Sequence, residues 1–298
     1  MSARATVAEE RCAVCGELTR TEVLQPASTY ARHGQYRIAT CARCGCGQTE
    51  PRPSTEELSA FYAREYQYDA HRLIATEKRR RARRILDHAL GNARRVLDVG
   101  CMYGYLVEEA VARGAYAAGV ELSAGPAREA RARGLEVFHG TLEAYARTNP
   151  APFDLVVAQH VLEHVTDPAL FLETARTLLA PQGRLCICVP NFDARARRVF
   201  PRAWGWYQVP VHLHHFTEHS LRTLLQSHGF CVEDVRRRGG DSLFVLITLA
   251  QGAGMAPRSD AMGPPGLLTR AAVQAASTLL RPYYRLGDDE LMVLARRI

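Results

Sequence analysis

The sequence predicts an α/β fold: a mostly parallel sheet covered by helices on both faces, preceded by a small cysteine-bearing unit. The sheet is read from its rhythm. Short apolar runs at 95–99, 116–121, 135–138, 153–158, 184–189, 231–236, 243–250 and 289–296 read as strands, and helix-length segments at 104–113, 124–133, 168–180 and 218–228 alternate with them. A second observation is local. Arg95-Val-Leu-Asp-Val99 runs into a turn containing Gly100 and Gly104, and the next strand ends in Gly119-Val-Glu-Leu122. A strand, a glycine turn, a helix and a second strand ending in an acid build a nucleotide-cofactor pocket. The third observation is the spacing of Cys12-x-x-Cys15 and Cys41-x-x-Cys44, each pair followed by a glycine. Each pair makes a tight knuckle whose two thiolates can point at one tetrahedral ion.

The elements follow in order. Residues 1–50 are expected to form the cysteine unit, too small to fold without its metal. The 25 residues between the knuckles leave room for a hairpin such as Thr21–Leu24 with Tyr36–Thr40. A disulfide framework is the competing reading; a reducing compartment favours zinc. Residues 51–92 form a helical lead-in that lids the site: Pro51-Arg-Pro53 stiffens the exit, Ser54-Thr-Glu-Glu57 is an N-cap, and an aromatic segment, 61–68, precedes the basic run Glu77–Arg84. The main domain is expected over 93–298. Within it, Ser123 caps a helix with Pro126 in its first turn, Pro181-Gln-Gly183 stops another, and 251–288 is a helical insertion in a terminal hairpin. Cys101, Cys186, Cys188 and Cys231 lie in apolar runs and read as small buried residues.

Composition bounds the function. The chain of 298 residues is 47% apolar, enough for a substantial core. No stretch approaches about 18 uninterrupted apolar residues, so no membrane span is expected, and the N-terminus lacks a signal-peptide core, which points to the cytosol. The formal charge of +7 mildly favours anionic partners. The basic run reads as a solvated helix face and lacks the interleaved aromatics of a single-strand binder, so nucleic acid is not the expected partner.

The glycine turn selects the cofactor. A dinucleotide site needs three glycines so that a pyrophosphate can approach the helix N-terminus. Here Met102 stands between Gly100 and Gly104, and Asp98 lies just before the turn. A carboxylate there suits a cationic ligand better than a pyrophosphate. S-adenosylmethionine has no phosphate, carries an α-ammonium, and needs an acid for its ribose; Glu121, 17 residues after Gly104, supplies one. On these grounds it is preferred over NAD.

Together these motifs resemble the class I S-adenosylmethionine-dependent methyltransferases, in the branch that carries an N-terminal zinc ribbon. The resemblance rests on Val96-Leu-Asp-Val-Gly-Cys-x-x-Gly104, Gly119-Val-Glu-Leu122, the run from Phe153 through His160-Val-Leu-Glu-His164 to Pro168, and Leu178-Leu-x-Pro-x-Gly183. The cysteine pairs, Pro51-Arg-Pro-Ser54, His212-Leu-His-His-Phe-Thr217 and Leu224-Leu-x-x-x-Gly-Phe230 fit the zinc-ribbon branch. It implies a Rossmann-like, seven-stranded, mostly parallel sheet with an antiparallel last strand, and a structural zinc on Cys12, Cys15, Cys41 and Cys44. It also implies roles at the cofactor: Asp98, Gly100 and Gly104 at the methionine end, Glu121 and Leu122 at the ribose, and Thr141 and Leu142 at the adenine. Gln159 and His160 would form the floor, and Tyr66 would cover the methionine tail. Met102 departs from the small residue usual at its position.

Methyl transfer to a hydroxyl or an acidic C–H needs an aligned nucleophile and a base. His212 is the first choice for the base, because related zinc-ribbon sugar methyltransferases place a histidine in this segment; His160 and His164 are the other candidates. His215 reads as structural. The aromatics around Trp204–Phe216 suit a pocket roof, and Arg195, Arg197 and Arg198 could meet a phosphate or carboxylate. His160-x-x-Glu163-His164 also matches an inverted zinc-protease string, but it follows a buried strand and Pro168 comes soon after. In related ubiquinone-synthesis O-methyltransferases a Glu-x-x-Glu-His string here binds a divalent ion, so His160, Glu163 and His164 are candidate metal ligands. The expected activity is O-methylation of a small acceptor, anionic or glycosylated, such as a sugar or secondary metabolite. C- or N-methylation and an RNA methyltransferase are the alternatives.

Overall fold

The computed structural model describes residues 11–26, 35–65, 75–239 and 287–298. Tyr66, the strand expected over 243–250 and nearly all of the expected insertion lie outside the described residues.

A seven-stranded sheet forms the centre. Its strands are β4 (Arg95–Val99), β5 (Tyr116–Glu121), β6 (Val137–His139), β7 (Phe153–Gln159), β8 (Leu179–Pro190), β10 (Phe230–Arg238) and β11 (Glu290–Arg297), in the order β10-β11-β8-β7-β4-β5-β6. Strands β6, β5, β4, β7 and β8 are mutually parallel, and β11 enters antiparallel between β8 and β10. The alternating pattern predicts the mostly parallel sheet, and the antiparallel last strand is the one that the methyltransferase resemblance implies. β8 begins earlier than the apolar run indicates: Leu179 already pairs with Phe153, and Ala180–Gly183 loop out before Arg184 resumes pairing with Leu155.

Side chains alternate between two buried faces because successive strand residues point opposite ways. Leu155, Val157, Cys186 and Cys188 pack under α2 (Ala75–Ala89), α3 (Tyr105–Ala112) and α4 (Ala124–Ala132). Val156, Ala158, Leu185 and Ile187 pack under α5 (Leu142–Ala146), α6 (Pro168–Leu178) and α8 (Glu218–Ser227). The short helices α5 and α7 (Arg195–Val199) are below the length that periodicity detects. In the lead-in, α1 (Thr55–Glu65) starts at a capping box: Glu57 N donates to Ser54 Oγ (3.2 Å) and Ser54 N to Glu57 Oε2 (2.8 Å). Ser123 stands at the α4 N-cap without a side-chain cap bond. Among the described residues no helix is long and apolar enough to cross a membrane.

The second sheet holds β1 (Arg20–Leu24), β2 (Arg37–Cys41), β3 (Gly47–Glu50) and β9 (His214–His215), all antiparallel. β1 and β2 form the hairpin between the knuckles, with Val23 opposite Ala39. Its fourth strand comes from far along the chain, and Gln48 faces His214.

Candidate active site

The cofactor turn is built from the end of β4. Gly100 has φ +71°, and its amide and that of Cys101 donate to Val120 O at 2.8 and 3.1 Å. A Cβ on Gly100 would lie 2.5 Å from Val161 Cγ2, so the turn touches the loop after β7 and admits only glycine. Gly104, φ +74°, is the α3 N-cap, where a Cβ would meet Leu135. Glu121, buried at the end of β5, accepts from Met102 N (2.8 Å) and Ser123 N (2.7 Å). Met102 has φ +48°, a left-handed conformation, which is why a glycine suits this position.

Asp98 is buried beside Glu121; burial, reinforced by the Glu121 charge, pushes its pKa up to about 8. These donors fit S-adenosylmethionine. The Glu121 carboxylate at the turn would repel a pyrophosphate, whereas an α-ammonium would favour the ionised form of Asp98. Each Glu121 oxygen retains a second lone pair for a ribose hydroxyl. Thr141 follows Gly140, whose amide donates to Glu121 O (2.9 Å), and Thr141 caps α5 by accepting from Ala144 N. Leu142 is buried, Leu122 is exposed, and Gln159 lies beside the turn through the Val99–Ala158 register.

The histidines collect at the same edge. His160, φ +53°, sits between two acids: Nδ1 lies 3.0 Å from Glu163 Oε1 and Nε2 2.9 Å from Glu290 Oε2. Arg81 of α2 pairs with Glu290 at 2.9 Å, and Trp206 stacks on the His160 ring at 5.1 Å. Burial penalises charge on His160, but the hydrogen bonds to Glu163 and Glu290 outweigh it and raise its pKa. His164 and His212 behave oppositely. Burial lowers both, well below the ordinary value in His212, where neighbouring histidines add to it. Nδ1 of His164 donates to Val211 O (3.0 Å) and Nδ1 of His212 to Trp206 O (2.9 Å). These bonds fix the tautomer, so each neutral ring carries its lone pair on Nε2. The two rings meet edge-on at 4.6 Å. His215 is buried against Thr49 Oγ1 (3.1 Å).

The donors that converge differ from the expected set. One ligand atom each from Glu163, His164 and His212 lies within 4.8 Å of the others, and Glu163 Oε2 is buried with no hydrogen-bond partner among the described residues. Both ring nitrogens of His160 are engaged by carboxylates, and it is His212, rather than His160, that lies with Glu163 and His164. Arg81 and Glu290 escaped sequence reasoning because they reach His160 across 79 and 130 residues. Tyr207 is buried, with its hydroxyl donating to Pro201 O (2.7 Å).

The cysteine unit lies behind this edge. Sγ of Cys12, Cys15, Cys41 and Cys44 are mutually within 4.8 Å, with Cys12–Cys44 at 3.6 Å and Cys15–Cys41 at 3.5 Å. Those separations are far too long for disulfides and fit a tetrahedral zinc with bonds of about 2.3 Å. Gly16 and Gly45, φ +74° and +72°, turn the two knuckles, their amides donating to Cys12 O and Cys41 O.

Residues 62–235 match the model of a methyltransferase domain, and the chain belongs to that family. Over 109 residues it is 36% identical to the ubiquinone biosynthesis O-methyltransferase of Aeromonas salmonicida, covering 35% of this chain and 46% of that one. It is 35% identical over 118 residues to the enzyme of that name from Azotobacter vinelandii, covering 38% and 51%. The chain thus spans about half the length of the curated relatives it matches. Among solved structures, a SAM-dependent methyltransferase from Archaeoglobus fulgidus is similar with a TM-score of 0.51 at 19% identity, covering 80% of this chain and 99% of that one. The 1,6-didemethyltoxoflavin-N1-methyltransferase of Burkholderia thailandensis, with bound S-adenosylhomocysteine, gives 0.52 at 20% identity, covering 91% and 99%. The fold is that of the class I SAM-dependent methyltransferases.

Proposed function

We propose that the chain transfers a methyl group from S-adenosylmethionine to an oxygen of a small-molecule acceptor, such as a sugar or a secondary metabolite, in the cytosol. One observation carries the reading: the acid-lined glycine turn touches, through Gly100 and Val161, the loop that bears the histidines. When bound, the cofactor supplies an electrophilic methyl on a sulfonium. Asp98 would pair with its α-ammonium and Glu121 with its ribose hydroxyls, with Thr141, Leu142, Leu122 and Gln159 around the remainder. His212 would accept the acceptor's hydroxyl proton on Nε2, beside His164. His160, held by Glu163 and Glu290, would set the floor. The lead-in, 51–92, would close over the site, a role supported by the reach of Arg81 to Glu290. Zinc on Cys12, Cys15, Cys41 and Cys44 would hold the ribbon.

The names of the curated relatives favour oxygen; transfer to carbon or nitrogen is the alternative. A divalent ion on Glu163, His164 and His212 is a second reading, favoured by the unpartnered Glu163 Oε2. Two metal equivalents per chain in elemental analysis, instead of one, would support it over the base.

Calorimetry with S-adenosylhomocysteine tests the cofactor, and absence of binding by folded protein would overturn the proposal. Against a panel of phenols and sugars, His212→Ala should lower turnover by about 10²–10⁴-fold with little change in cofactor affinity. Unchanged turnover would remove His212 from the role.

A further inference from the structure

A cleft opens between α2 and the end of the β10–β11 hairpin, lined by Arg80, Arg81 and Arg84 from the helix, Arg238 from β10, and Glu77 and Glu290. Four guanidinium groups face two carboxylates there, which leaves two positive charges in excess. Arg81 is committed to Glu290 at 2.9 Å. Among the described residues no carboxylate forms an ion pair with Arg80, Arg84 or Arg238. Burial disfavours the charge on Arg84, and Arg238, Arg80 and Arg81 add to that by repulsion, which Glu77 offsets only in part. The α2 arginines fall at i, i+1 and i+4, which brings Arg80 and Arg84 onto one helical face. The β10–β11 register sets Arg238 opposite Glu290.

The position of the cleft connects it to the chemistry. Glu290, which lines it, is the residue that holds His160 Nε2 at 2.9 Å. The arginine cluster therefore adjoins the edge where the histidines and the glycine turn meet. Forked guanidinium donors match phosphate oxygens, and a doubly charged phosphoryl group balances the excess.

We infer that this cleft binds the phosphoryl group of the acceptor, so that the substrate is a phosphorylated small molecule whose hydroxyl is presented toward the histidine edge. The inference rests on the methyltransferase reading given above.

The test uses the full chain saturated with S-adenosylhomocysteine and titrates it with inorganic phosphate, with glucose 1-phosphate, and with acetate as the carboxylate arm. Phosphate and glucose 1-phosphate should bind and acetate should not. The Arg84→Gln, Arg238→Gln double variant should lose at least about tenfold in phosphate affinity while S-adenosylhomocysteine affinity is unchanged. Arg80→Gln alone should give a smaller loss, which keeps the test valid if the double variant melts. Tighter binding of glucose 1-phosphate than of inorganic phosphate supports a sugar phosphate as the source. Equal phosphate affinity in parent and variants would overturn the inference. So would an RNA 20-mer whose binding falls with the same substitutions when phosphate alone does not bind. Failure to bind S-adenosylhomocysteine at all would instead remove the methyltransferase reading itself.

Discussion

Asp98 shows at the scale of one residue what a binding site costs a fold. An aspartate ordinarily titrates near 3.9, and here burial beside Glu121 pushes it up to about 8. The folded chain thus holds this proton more tightly than the unfolded chain, and stability falls as pH rises from about 4 to about 8. Asp98→Asn removes the penalty. The variant should be more stable than the parent at pH 8, on the order of a few kcal/mol, with the gain shrinking toward pH 4. Its affinity for S-adenosylhomocysteine should fall. Unfolding at the two pH values checks the first expectation and calorimetry the second; a variant no more stable at pH 8 would mean that Asp98 is not strained in the free protein. Met102 belongs to the same turn. Its side chain departs from the family pattern, yet its backbone keeps the left-handed conformation and its amide still serves Glu121.

At the scale of elements, β9 joins the cysteine unit to the edge where the histidines collect. His214 and His215 pair with Gln48 and Gly47, Thr49 Oγ1 donates to His212 O (2.6 Å), and Thr49 N donates to Leu213 O (3.1 Å). On the next turn of chain Thr217 Oγ1 donates to Cys44 O (3.4 Å). The ribbon therefore clamps both ends of the segment that carries His212. Zinc on the four cysteines would contribute directly to the folding of the ribbon's three strands. Chelation, or Cys44→Ser, should lower the thermal midpoint and speed amide exchange at 47–49 and 213–215 together. Exchange at 213–215 that stays slow after zinc removal would show that the ribbon does not hold the segment.

Across the whole molecule, Arg81, Glu290, His160 and Glu163 tie α2, β11 and the loop after β7 into one network. The Arg81 and Glu290 side chains are only 10% and 5% exposed, so removing Arg81 takes one of the cationic partners from a buried carboxylate and leaves His160 to compensate it. Arg81→Ala should cost about 1–3 kcal/mol in denaturant unfolding, because His160 still faces Glu290. A loss below about 1 kcal/mol would place the pair effectively in solvent. The order of the sheet edge makes this network possible. Because β11 lies beside β8, which pairs with β7, Glu290 at its start reaches His160 just after β7.

The alternation of strands and helices, the glycine turn with its acids and the cysteine spacing were all legible in the sequence. Each is a local pattern, set by backbone sterics or by a short ligand spacing, and needs no distant partner to be read. The histidines were legible as candidates, but their chemistry was not. Their protonation depends on burial and on carboxylates that arrive from elsewhere, Glu163 from three residues away and Glu290 from 130. The same reason hid the arginine cleft, because a basic run on a helix looks like a solvated face until Arg238 closes the other side. The chain by itself determined the fold class and the cofactor turn. Only the tertiary structure decided which histidine is held between acids and which of them burial keeps neutral, because low-dielectric surroundings and cross-chain charges exist only once the sheet is assembled.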